Sequence, residues 1–150
     1  MHSESSSSLG YFNDTLQDLP GVRLDADPDG TAFVAAQGAQ VLSWQAADGI
    51  ERLYLSPATG GMTRDGRKAA PIRGGVPVCF PQFSDRGPMV KHGFARDLPW
   101  RLNEPVQASV TMTLHDDDAS RQHWPHAFDA QLGVRLGPGR RRLTARGRAA

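Results

Sequence analysis

The sequence predicts an all-β protein, built as an antiparallel β-sandwich. Three observations lead there. Several short segments alternate apolar and polar residues, with the period of two that a half-buried strand requires. Turn signals separate them. No segment sustains i, i+3, i+4, i+7 apolar spacing for three turns of helix. At 150 residues the chain is sized for one domain with its own hydrophobic core.

The elements follow in chain order. Residues 1–20 begin "MHSESSSSLGYFND", with no basic start and no apolar run. They read as a polar, disordered lead-in rather than a secretory signal. The β body covers 21–137. Strands are expected near Thr31–Ala36, Gln40–Gln45 and Arg52–Ser56, with turns at Gln37-Gly38 and Asp48-Gly49. Ser56–Pro71 is rich in glycine, proline and charge, so it reads as a long loop of the functional kind. In "IRGGVPVCFP", Val76, Val78 and Phe80 alternate with Pro77, Cys79 and Pro81. Two prolines in such a run suggest an edge or bulged strand. Val106, Ala108, Val110, Met112 and Leu114 share one face of the next strand. Phe128, Ala130, Leu132, Val134 and Leu136 do the same in the last. "HDDDAS" between them reads as a solvated turn.

Charge and composition exclude several classes. The six arginines of residues 135–150 conceal an acidic body, because the rest of the chain holds 11 basic and 16 acidic residues. A basic tail suggests nucleic acid, but this one carries no aromatic residue for base stacking, so no nucleic-acid partner is expected. No window approaches the roughly 18 apolar residues of a membrane span, so no membrane partner is expected either. The single cysteine, Cys79, cannot close an internal disulfide, which suits a reducing, cytoplasmic setting. Cys79 lies in an apolar run and reads as structural rather than nucleophilic. His115, His123 and His126 lack a companion Cys/His pair, so no metal site is expected from them.

One stretch stands apart. "RGGVPVCFPQFSDRGPMVKHGFAR" sets arginines at both ends and a His-Gly pair near its close. Glycines let backbone approach a ligand or another strand closely. An arginine fork matches phosphate oxygens in pairs, although it matches an acid at a strand end equally well. Taken with "LYLSP" before the loop and "RQHWPHAFDAQLGVRLG" after it, "IRGGVPVCFPQF" and "KHGFARDLPW" resemble the hexose-6-phosphate mutarotases. These are also called glucose-6-phosphate 1-epimerases and fall in the aldose 1-epimerase superfamily. The resemblance covers about Gly21 to Gly137 and implies a galactose mutarotase-like supersandwich that binds sugar in a cleft.

The resemblance also implies a chemistry. Mutarotases interconvert the α and β anomers of a sugar. A base takes the anomeric hydroxyl proton while an acid protonates the ring oxygen. The ring opens to the aldehyde, rotates and recloses on the other face. Such proton transfers need groups in hydrogen-bond reach with suitable pKa values, and no metal or organic cofactor. Carried over by position, substrate contacts fall to Arg73, Lys91, His92 and Arg96, with a hexose 6-phosphate, glucose 6-phosphate first, as the partner. Lys91 departs from a frequent glutamine. The catalytic histidine and glutamate of the family lie farther along than residue 150. A non-catalytic carbohydrate-binding β-sandwich module is the alternative reading. Residues 138–150 break the family's strand pattern and read as an aberrant Arg-rich tail. A shifted reading frame, a mispredicted gene or a natural short relative would each produce it, and downstream nucleotide sequence separates these origins.

Overall fold

The computed structural model describes residues 10–59, 71–137 and 140–149. Alternation in the sequence becomes two four-stranded antiparallel sheets. The first is a run of consecutive hairpins: β1 (Tyr11–Leu16), β2 (Leu19–Asp25), β3 (Thr31–Ala35) and β4 (Val41–Gln45). The second orders β5 (Arg101–Leu102), β6 (Ser109–His115), β7 (Phe128–Gly137) and β8 (Arg140–Ala149) side by side.

The inner faces of the two sheets make one core. Val22, Leu24, Ala32 and Val34 from the first pack in one cluster with Val110, Met112, Leu132 and Val134 from the second. This is the sandwich arrangement, in which each sheet hides the apolar face of the other. The first sheet is buried on its other face as well. There Leu19, Phe33, Ala35 and Leu42 form a second cluster, covered by Leu16, Leu55 and Ile72. Burial on both faces explains why "TAFVA" is a nearly continuous apolar run rather than a clean alternation.

Several expectations are corrected. Residues 11–16 are strand, not disordered lead-in, while residues 1–9 lie outside the described residues. Gln17 and Asp18 both take positive φ, 49° and 63°, with Leu16 opposite Leu19. That is a two-residue hairpin turn whose twist matches the strands. Asp14 then pairs with Arg23 across the hairpin, its Oδ2 2.7 Å from Nε. The expected strand at Arg52–Ser56 contributes only one isolated bridge, Leu55 to Gly74, with Glu51 just before it bridging Gln45. Val106 does not join the buried face of β6. Gln107 turns at φ 55°, Val106 bridges back to Ser109, and its side chain is 68% exposed.

"HDDDAS" is no mere turn. Its second half enters α1 (Asp118–His123), capped by Asp117. The Asp117 carboxylate accepts from Ser120 N–H at 2.7 Å, and Ser120 Oγ accepts from Asp117 N–H at 2.9 Å. This reciprocal box satisfies amides that the first helical turn leaves open. The Arg-rich tail also takes regular structure. β8 pairs with β7 in unbroken register from Phe128–Ala149 to Gly137–Arg140. Most of the loop expected at Ser56–Pro71 lies outside the described residues.

Candidate functional site

The segment after that loop is held to the first sheet by its backbone. Arg73 carries the anchor. Its N–H donates to Thr59 Oγ1 at 2.9 Å, and its carbonyl accepts from Ser56 N–H at 2.8 Å. Gly74 and Gly75 then pass so close to neighbouring chains that a side chain would collide. A Cβ on Gly74 would stand 2.1 Å from the Tyr54 carbonyl oxygen, and one on Gly75 2.3 Å from that of Val41. The glycine pair is therefore a packing requirement. Gln40, nearly fully buried in the β3–β4 turn, donates from Nε2 to the Gly74 carbonyl at 2.7 Å. The Arg73 side chain leaves this clamp exposed to solvent.

"IRGGVPVCFP" forms no regular strand, because Pro77 and Pro81 lack the N–H a ladder needs. It makes single bridges instead: Gly74 to Leu55, Val76 to Val41, Phe80 to Gly93. The last bridge ties the first motif to the second. The Phe80 carbonyl accepts N–H bonds from both Phe94 and Ala95 at 3.1 Å. Between the motifs, residues 82–92 form a loop organised by Gln82. Its amide donates to the Ser84 and Met89 carbonyls at 2.8 and 3.1 Å, and its oxygen accepts from Met89 N–H at 2.9 Å.

Arg96 sits in a short 3-10 helix, Ala95–Asp97. Trp100 fixes it by donating from Nε1 to the Ala95 carbonyl at 2.9 Å. The Arg96 guanidinium donates to the Lys91 carbonyl at 3.3 Å, which steadies its direction. Arg73 and Arg96 together line one cavity of about 410 Å³, with Gln40, Gly74, Pro77 and Asp97 among the other walls. Two arginines among the lining residues of a pocket of this size suit an oxyanion on a small polar molecule.

His92 and Lys91 do not line that cavity. Lys91 points to solvent, and only its backbone carbonyl meets Arg96. His92 is half-buried one loop away, at a φ of 70°, with its ring edge-on to Phe83 at 5.8 Å. Its Nδ1 lies 3.1 Å from Ser84 N and 3.4 Å from Cys79 Sγ. Cys79 is itself half-buried. The other histidines are dispersed. His115 stands 3.6 Å from Asp129 across β6 and β7, and His126 packs on Trp124 with 4.7 Å between ring centroids.

The Aldose 1-epimerase family model matches residues 21–149. The chain belongs to that family. It is 37% identical over 128 residues to a provisionally named glucose-6-phosphate 1-epimerase of Salmonella typhimurium, covering 81% of this chain and 42% of that protein. A provisionally named glucose-6-phosphate 1-epimerase of Cenchrus ciliaris is 37% identical over 116 residues, or 71% of this chain and 34% of that one. The crystal structure of a provisionally named mutarotase, YeaD of Salmonella typhimurium, superimposes with a TM-score of 0.69 at 34% identity. It covers 83% of this chain and 42% of that structure. The chain thus spans well under half the length of these relatives. The family match reaches through β8, past the Gly137 at which the visible resemblance stops.

Gln40 and Gln82 were not legible as site residues. Both are glutamines whose value lies in a buried amide reaching backbone carbonyls, and no residue pattern announces that. Gln82 follows Pro81 inside the motif itself, which was the available signal.

Proposed function

We propose that this chain supplies the sugar-phosphate-binding part of a hexose-6-phosphate mutarotase, with glucose 6-phosphate as the first candidate ligand and the cytoplasm as its setting. The observation that carries this reading is the shared cavity. Arg73 and Arg96 come from two separate motifs and line the same small pocket. Phosphate is the substrate group that most rewards two arginines in one wall. Lys91 and His92 lie outside the cavity, and only the Lys91 carbonyl touches a lining residue, Arg96.

On this reading the chain binds and orients, while the proton-transferring histidine and glutamate belong to family segments beyond those matched here. The names of the relatives support the choice of a hexose 6-phosphate. The test pairs a coupled assay of α-to-β conversion of glucose 6-phosphate with a binding titration of the same preparation. The expected result is saturable binding with little or no acceleration of mutarotation. Full turnover, in material free of host epimerase, would place the acid and base within these 150 residues. Absence of binding would remove the reading altogether.

A further inference from the structure

The β3–β4 turn brackets the two arginine motifs. On one side Gln40 Nε2 donates to the Gly74 carbonyl at 2.7 Å, next to Arg73. On the other, Gln37 Nε2 donates to the Asp97 carbonyl at 2.6 Å, next to Arg96, and Gly38 N–H donates to the Leu98 carbonyl at 2.8 Å. Both glutamines are buried, Gln37 at 8% and Gln40 at 3% exposure. A carbonyl oxygen only accepts, so the bond to Gly74 fixes the Gln40 NH2 there and turns Oε1 the other way. Among the described residues no donor meets that Oε1. It is not sealed in protein either, since the buried side-chain oxygen left without a partner among those residues is Asp129 Oδ1. Gln40 Oε1 therefore opens onto space, and the cavity that Gln40 lines is the one shared by Arg73 and Arg96.

We propose that Gln40 Oε1 is the acceptor for one sugar hydroxyl, making Gln40 a specificity residue that selects hydroxyl-bearing phosphate esters in the arginine cavity. This rests on the sugar-phosphate reading above. Arginine carries donors only, so neither Arg73 nor Arg96 can accept a ligand's O–H. An amide carbonyl supplies the missing acceptor without a negative charge that would oppose the phosphate. A site built to pair a hydroxyl penalises the analogue that lacks it, because its own polar group is then left unmatched. Gln37 has a different task. It bonds the backbone beside Arg96 and does not line the cavity, so it positions without touching ligand.

Calorimetry with glucose 6-phosphate and its monodeoxy analogues, each lacking one hydroxyl, tests this. On the native protein at least one analogue should bind roughly two- to tenfold more weakly, the range for one neutral hydrogen bond. For that analogue the difference should vanish in Gln40→Met. It should persist in Gln37→Met, whatever affinity the two ligands lose together. Analogues that all match glucose 6-phosphate on the native protein would overturn the acceptor role. So would every difference surviving unchanged in folded Gln40→Met. If Gln40→Met fails to fold, the side-chain carbonyl-carbon signal of Gln40 in the native protein decides instead. It should shift with glucose 6-phosphate and less with the weaker analogue, and a signal that stays still would overturn the role. Each of these failures leaves the sugar-phosphate reading standing. Absence of any binding by glucose 6-phosphate would sink that reading, and the role of Gln40 with it.

Discussion

Gly93 shows how tightly single positions are specified around the two motifs. Its φ is 75°, and a Cβ there would stand 2.2 Å from the Phe80 carbonyl oxygen. That oxygen receives the amides of Phe94 and Ala95, so it cannot withdraw without breaking two hydrogen bonds. Gly93→Ala should therefore destabilise the chain by more than about 1 kcal/mol, since a side chain is forced into both a left-handed angle and a collision. Urea unfolding measures this, and an unchanged midpoint would contradict it. The need for glycine was readable from the motif; the reason was not, because Phe80 and Gly93 meet only once the intervening loop has closed. Arg73 and Arg96 were singled out because they close the two glycine-containing motifs, and the structure sets both on one cavity. His92 was legible as a polar group in the motif, but not as a ring pinned through Nδ1. That depends on Ser84, whose backbone amide gives no sign in the residue pattern.

At the scale of elements, the connection from β6 to β7 is stabilised by charge. Asp116 accepts Phe128 N–H at 3.0 Å and pairs with Arg121 Nε at 2.9 Å. The Phe128 amide, followed by the Arg121 guanidinium, holds the Asp116 carboxyl below the usual aspartate range. The Arg23 side chain does the same for Asp14, with help from the Thr15 amide. These groups are ionised more readily in the folded chain than in the unfolded one. Their contribution is complete above the unfolded-state pKa and is lost as pH falls through the lower folded value. Acid titration followed by Trp124 fluorescence should show stability falling in that acidic range. The decline should be shallower in Asp116→Asn, and an identical acid limb in the two proteins would refute this. Strands β3, β4, β6 and β7 were legible because alternation or apolar runs mark them. β1 was not, because its turn uses Gln17-Asp18 rather than a glycine pair. α1 was not, because six residues are too few to show helical periodicity, and its capping box substitutes serine for the usual Glu or Gln. β8 was not, because arginines hide its strand pattern, and its order comes from pairing with β7.

The whole molecule depends on two sheets sharing one core. Leu132 lies at 2% exposure in the cluster that includes Val22 and Val34 from the opposite sheet. Leu132→Ala should cost about 2–5 kcal/mol, the range for a leucine cavity in a packed interior. Because the core is common, the loss should be felt in both sheets together. Trp44 near the first sheet and Trp124 near the second should report one unfolding midpoint, lowered by the same amount. Two separated transitions would show that the sheets fold independently. The second sheet also presents β8 at its edge, with only β7 beside it among the described strands. An unpaired strand edge invites pairing with another chain, although the exposed Arg146 on this one opposes self-association.

If Arg73 and Arg96 serve one phosphate, as proposed, calorimetry of Arg96→Ala will register it. The protein, confirmed folded by circular dichroism, is titrated with glucose 6-phosphate and with glucose. A charge-assisted hydrogen bond is worth about 1.5–3 kcal/mol, so glucose 6-phosphate should bind roughly tenfold more weakly or worse. Arg96→Lys should recover only part of that, because a point charge cannot reproduce the fork. Glucose should be far less affected. Unchanged affinity for both ligands in the folded Arg96→Ala protein would contradict the account and remove Arg96 from the site.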